Sequence, residues 1–328
     1  MNRAVPLTDT RRVDVASLAA RPRWAERAAE LAIKTVAFVS IASVVLILVF
    51  VGKEALPLLT SAAVHKEVTL ASMFLPRESG GESFYTWQPT SDYPKYNIVP
   101  LIVGTLKVTF VSLVIAVPLS VAAALYVSDY ASTRVREIVK PAIEMAAGIP
   151  SVVIGFFALV VLGTWVQKIF GTEHRLNAIV AGIGLAITIC PVVFSVSEDA
   201  LRAVPASYRS AAIALGSTRS QVLLRIVIPA ASSGIAAAIV LGFGRAIGET
   251  MIVLLASGNA ALLDADLGHS VRTITATIAQ ELGEVVNGSP HYHVLFALGA
   301  LLFLFTFAVN LAGARIVERM RRRLGSDG

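Results

Sequence analysis

Leu241-Gly242-Phe243-Gly244-Arg245-Ala246-Ile247-Gly248-Glu249-Thr250 lies within an apolar run from about Pro229 to Ala256. A spanning helix needs about 20 largely apolar residues, so this run reads as a helix that crosses a bilayer. It carries two formal charges, Arg245 and Glu249, four residues apart and therefore on one helix face. Charge inside hydrocarbon is costly, so both side chains are expected to face protein, a partner or water. Gly244 and Gly248 share the same spacing and are expected to let another helix approach closely. Two readings follow: an ion pair that staples two helices, or a polar site on a transport path.

The rest of the chain repeats the pattern. Hydrophobic residues make up 55% of the 328 and charged residues only 15%, a balance that implies an integral membrane protein. Further apolar runs cover about 31–51, 98–127, 141–166, 177–196 and 294–317, giving six spans. Pro150 is expected to interrupt the third, and Pro191 to bend or break the fourth. Residues 1–30 form an arginine-rich tail, with an interfacial helix expected around Ala19 to Leu31. Residues 52–97 read as an irregular loop, 197–228 as a connecting loop and 318–328 as a basic tail. The arginines and lysines place both termini and the 197–228 loop in the cytoplasm, and 52–97 and 257–293 outside. The net charge of +6 comes from helix ends and tails, which argues against a nucleic-acid partner. Cys190 is the single cysteine, so no disulfide forms within the chain. No Walker A, zinc-ligand or Gly-x-Ser-x-Gly pattern occurs, so the chain is expected to bind no cofactor and to be no enzyme.

Two charges near other spans are ambiguous. Lys107, close to the outer end of the second, is expected to snorkel to the interface. Glu144, read as lying in the first turn of the third, is favoured there by the helix dipole.

Between the fourth and fifth spans the pattern changes. Pro205 restarts a helix, Ser207 is expected to cap Tyr208 to Leu215, and Gly216 to stop it. Ser217 is expected to cap a second short helix, and Pro229 to mark entry into the fifth span. Ser210, Ala211 and Ala212 are expected to give the first helix a flat face for another protein's cleft.

These residues resemble the signature of permease subunits of ATP-binding-cassette importers: Glu-Ala-Ala, three residues, Gly, nine residues, Ile-x-Leu-Pro. Ser210-Ala211-Ala212, Gly216, Ile226 and Ile228-Pro229 keep that spacing, with Ser210 in place of the acid and Ile228 in place of leucine. Trp87-Gln88-Pro89, Asn97-Ile98-Val99-Pro100-Leu101, Ala147-Gly148-Ile149-Pro150-Ser151 and Gly244-Arg245-Ala246-Ile247-Gly248-Glu249-Thr250 are similar to the phosphate-import permeases of the Pst system. The long N-terminal tail and large first loop favour the PstC type over PstA. The resemblance implies an all-α membrane protein with the type I ABC importer permease fold and six transmembrane helices. It implies ATPase coupling through Tyr208, Ser210, Ala211, Ala212 and Gly216, and a phosphate path at Arg245 and Glu249. The implied partners are a PstA-like permease, two PstB-like ATPases holding ATP and magnesium, and a PstS-like phosphate-binding protein. Alternatives are an importer of another oxyanion (sulfate or molybdate) and a secondary transporter.

Overall fold

The computed structural model describes residues 24–79 and 82–325; most of the expected tail, including Arg3, Arg11, Arg12, Arg21 and Arg23, lies outside the described residues. Among the described residues six helical stretches are long and apolar enough to cross a membrane: Glu26–Thr60, Val99–Tyr130, Ser151–Phe170, Ala178–Arg202, Arg219–Gly248 and Pro290–Arg322. The chain divides into two compact units between Phe50 and Val51. In the first, the described residues belong to the helix Trp24–Ala55, so no separate interfacial helix precedes the span there. Leu31, Ile33, Phe38, Ile41 and Leu46 are all exposed on it. A helix apolar on every side is one that lipid or a neighbouring helix covers.

The second unit is built around the fourth span, whose most apolar stretch is 61% buried against 39% for the next, the second span. Leu185, Ile189 and Val193 pack in one cluster with Val108 and Ala116 of the second span and Ala238 and Ala246 of the fifth. The fourth helix starts at Asn177, whose Oδ1 accepts the Val180 N–H at 3.0 Å, satisfying an otherwise unpaired donor of the first turn. It runs unbroken from Ala178 to Arg202 through Pro191, so of the expected bend or break the break does not occur. The fifth span presses on it at Gly242, where a Cβ would stand 2.8 Å from Val193 Cγ2. The expected Gly244/Gly248 seam is not that contact: Gly244 faces the Asn310 side chain and Gly248 has nothing within 4 Å.

The third span is shifted relative to the sequence reading. An amphipathic helix, Thr133–Ala146, precedes it, and Pro150 is the residue from which Ser151–Phe170 starts. Proline suits a helix start, where its missing N–H would have had no intrahelical partner. Glu144 therefore lies in the last turn of Thr133–Ala146, the end where the dipole disfavours an acid. Its Oε1 instead accepts a hydrogen bond from Ser195 Oγ at 3.0 Å.

Residues 52–97 are more ordered than an irregular loop. Short helices at Pro57–Thr60, Ala62–His65 and Leu70–Phe74 lead to two antiparallel pairs, Arg77–Ser79 with Glu82–Phe84 and Trp87–Gln88 with Lys95–Tyr96. Leu58, Val68, Met73, Trp87 and Tyr96 are buried together with Ile274, Leu295 and Leu298. Glu281 joins the pieces: it accepts from Trp87 Nε1 at 3.0 Å and Arg272 Nη2 at 2.5 Å, and lies 2.8 Å from His291 Nε2. This loop-rich end of the bundle is a folded cap. At the sixth span the helix Pro290–Gly325 continues through most of the expected basic tail, with Arg322 paired to Glu318 at 2.9 Å.

Candidate functional site

The fifth span begins earlier and ends sooner than the apolar run suggested. Thr218, not Ser217, caps it: Thr218 Oγ1 accepts the Gln221 N–H at 3.3 Å and Gln221 Oε1 accepts the Thr218 N–H at 2.9 Å. The helix passes through a π turn at Leu223–Val227 and then Pro229, so Pro229 is not its entry point. It ends at Gly248. Glu249 is extended (ψ 134°), and a separate helix, Met251–Ala256, follows. Backbone that leaves a helix needs new partners for its polar groups. Here the Glu249 carbonyl accepts from Thr275 Oγ1 at 2.7 Å.

The break decides the fate of the two charges. Arg245 sits in the last turn, where the negative end of the helix dipole favours a cation. Glu249 has already left the helix, so the i,i+4 geometry that would have paired them is lost. No N···O contact within 4.0 Å joins them, and neither side chain pairs with any other described residue. Arg245 is exposed and Glu249 half-buried. The intramolecular staple is thus not formed. A groove of about 590 Å³ lies between the second and fifth spans, lined by Leu106, Thr109, Phe110, Leu113, Pro118 and Phe243. It is apolar except for Thr109, whose buried Oγ1 has no hydrogen-bond partner.

Lys107 does not snorkel. It is only 8% exposed and donates to Asp264 Oδ1 at 2.6 Å and to the Asp266 carbonyl at 2.9 Å. Burial pushes the Asp264 carboxyl up, but hydrogen bonds from Lys107 and His269 outweigh it and hold the group below its ordinary value. The pair ties the second span to the 257–293 segment.

At the opposite end of the bundle lies the helix that sequence assigned to coupling. It runs Ala206–Ala214 from Pro205 rather than from a Ser207 cap, and Gly216 turns the chain at φ +84°. Tyr208, Ser210, Ala211, Ile213 and Leu215 are exposed, Leu215 to 88%. Ala212 is not on that face. It is buried against a cluster that includes Leu201, Val222 and Val227. Successive helical residues are rotated by about 100°, so three in a row cannot share one flat surface. Arg209 fastens the helix, pairing with Asp129 at the end of the second span and donating to the Leu201 carbonyl at 2.9 Å. Nearby, Lys140 donates to Glu198 Oε2 at 2.7 Å and Asp199 Oδ1 at 2.8 Å. The exposed helix is thus fastened to the second and fourth spans and leads directly into the fifth.

Such an arrangement, in a bundle of apolar helices, defines a multi-pass transport permease of the ABC class, a kind of subunit that is not itself an enzyme. The chain belongs to the family of binding-protein-dependent transport system inner membrane components, whose model matches residues 116–323. It is similar to the probable ABC transporter permease protein YqgH of Bacillus subtilis, with 36% identity over 67% of this chain and 72% of the relative. It is also similar to the phosphate transport system permease proteins PstC 1 of Mycobacterium tuberculosis (34%, covering 77% and 81%) and PstC of Mesorhizobium japonicum (32%, covering 87% and 90%). Among solved structures, a bacterial alginate ABC transporter in complex with its alginate pentasaccharide-bound periplasmic protein has a chain of the same fold. That match has a TM-score of 0.57 at 16% identity and covers 91% of this chain and 98% of that one. The MetNI methionine ABC transporter in an inward-facing conformation matches with a TM-score of 0.51 at 18% identity, over 68% and 94%.

Proposed function

We propose that this chain is the PstC-type subunit of an ATP-driven phosphate importer and that Arg245 lies on the phosphate path. The observation that carries the reading is the exposed, unpaired Arg245 guanidinium beside a break in a membrane helix. A cation left open at that depth is expected to meet a partner or an anion, and guanidinium binds tetrahedral oxyanions bidentately. The names of the relatives supply the substrate class. A PstA-like permease covers the exposed face and completes the path. Glu249 accepts a hydrogen bond from the protonated phosphate oxygen and repels fully ionised dianions.

Both termini and the Ala206–Ala214 helix lie in the cytoplasm on this reading, because the basic residues concentrate there. Two PstB-like ATPases, which hold ATP and magnesium, grip Tyr208, Ser210, Ala211 and the turn at Gly216, with Ala212 as the inward anchor. A PstS-like phosphate-binding protein docks on the cap. ATP-driven closure moves the surface helix, and the fifth span carries the motion to Arg245.

The test is ATP-dependent uptake of radiolabelled phosphate by vesicles containing the reconstituted complex, with sulfate and molybdate as competitors. Arg245→Gln should abolish uptake while the subunits still co-purify. Normal uptake by that variant refutes the role of Arg245, and inhibition by sulfate or molybdate equal to that by unlabelled phosphate refutes the substrate assignment.

A further inference from the structure

We propose that Glu173, His174 and His269, with Asp266 as a fourth donor, form a binding site for a divalent cation of the zinc type at the loop-rich end of the bundle. One ligand atom from each of Glu173, His174 and His269 falls within 4.8 Å of the others. His269 Nε2 lies 3.8 Å from Glu173 Oε2 and 3.6 Å from Asp266 Oδ2. Tetrahedral zinc with bonds near 2.0–2.2 Å sets its ligand atoms about 3.4 Å apart, so capture needs side-chain movements of only a few tenths of an ångström at these two contacts.

The backbone that presents the ligands is already fixed. His269 O accepts the Ala178 N–H at 3.3 Å, Ser270 Oγ donates to Leu176 O at 3.2 Å, and Asn177 Nδ2 donates to His174 O at 2.8 Å. The two imidazoles meet edge to face at 5.6 Å between centroids.

The surroundings also orient the ligands. His269 Nδ1 lies 3.1 Å from Asp264 Oδ2, and Asp264 Oδ1 is in turn held by Lys107. With Nδ1–H donating to that carboxylate, the Nε2 lone pair is left free on the side of Glu173 and Asp266. This is the carboxylate–histidine relay that metal-ligating imidazoles commonly use. His174 Nδ1 is buried and has no hydrogen-bond partner. Two imidazoles select a borderline metal over calcium or magnesium, and the two carboxylates neutralise its charge. Bound metal would clasp the link between the third and fourth spans onto the 257–293 segment.

The test uses the full-length chain in detergent, purified through a tag free of histidine, with zinc binding measured by equilibrium dialysis and cobalt(II) as the spectroscopic probe. One zinc per chain and an intense tetrahedral cobalt band are expected. His269→Asn and His174→Asn should abolish both. Asp264→Asn, which does not touch the metal, should weaken binding by about 10–100-fold without changing the stoichiometry. His65→Asn and His291→Asn should leave binding unchanged. Thermal unfolding of the metal-free variants checks their folding. If a histidine variant fails to fold, Glu173→Gln on the exposed loop serves instead and should weaken zinc binding. Absence of stoichiometric zinc binding by the native chain overturns the site. So does undiminished binding in His174→Asn/His269→Asn, or in Glu173→Gln.

Discussion

Replacing Lys140 with methionine should destabilise the permease by about 3 kcal/mol, because it strands a buried carboxylate. Glu198 is 0% exposed, and its Oε2 depends on the Lys140 ammonium at 2.7 Å. The other oxygen, Oε1, has no hydrogen bond, and the nearest cation is Arg202 Nη1 at 3.7 Å. Removing one partner of a buried pair costs about 3–5 kcal/mol, whereas replacing both by apolar groups is often neutral. The lower end applies here because the half-exposed Arg202 can swing toward Glu198. The double variant Lys140→Met/Glu198→Met should therefore recover most of the loss, a coupling of about 2 kcal/mol. The hydrogen bonds that Lys140 donates to Asp199 and Glu198 also raise its pKa. The contribution of Lys140 is accordingly complete below the unfolded-state value of 10.5 and is lost as pH rises through the higher folded value. The assay is equilibrium unfolding of the purified chain in mixed micelles, with each single variant and the double. A Lys140→Met cost below about 0.5 kcal/mol, or strictly additive single effects, would refute the reasoning.

Three further outcomes follow from the same geometry. Leu215→Asp should change stability by less than about 0.5 kcal/mol, since Leu215 touches little of its own chain, yet should abolish co-purification of an ATPase; retained co-purification would count against the docking role. Gly242→Ala should cost about 1 kcal/mol by forcing a methyl against Val193, while Gly248→Ala, facing open space, should cost nothing measurable; equal effects in thermal unfolding would show that the fifth span is not seated through Gly242. Burial, reinforced by Glu67 and Glu281, pushes the Tyr96 phenol from 10.0 up to about 12. The folded state therefore holds the proton longer than the unfolded state, and stability should fall as pH rises from 10.0 toward about 12. Tyr96→Phe should flatten that slope, and an unchanged slope would exclude Tyr96 as its source.

The spans were legible because each buries or presents to lipid some twenty apolar residues, a signal that survives without knowledge of contacts. Their ends were not, and proline shows why. Pro150 starts a helix, Pro191 sits inside one and Pro229 lies within a helical stretch that began at Arg219, although each was read from sequence as an entry or an interruption. Proline forbids one hydrogen bond and one range of φ, and tertiary packing decides which of these matters. The break after Gly248 has only a weak local signal: glycine lowers helix propensity, but Gly242 and Gly244 stand inside the same helix, so glycine alone does not mark where it stops. Lys107 and Asp264 are separated by 157 residues, so their pairing is a property of the bundle. The strands of the cap are two or three residues long, too short for alternation to be seen. Of the candidate site, both charges and the surface helix were visible in the residues. The absence of an Arg245–Glu249 pair and the inward turn of Ala212 required coordinates.

The discontinuity at Glu249 has a mechanical consequence. From Arg219 to Gly248 the helix is a rod of about 45 Å, and a tilt of 5° about its middle displaces each end by about 2 Å. Were the helix continuous to Ala256, that displacement would drag the cap, which is tied down by the Thr275 bond to the Glu249 carbonyl. The break would work as an expansion joint. On the proposed coupling, movement of the rod would be absorbed by two or three backbone torsions, Met251–Ala256 and the cap would keep their seating, and Arg245 would ride on the moving side of the gap.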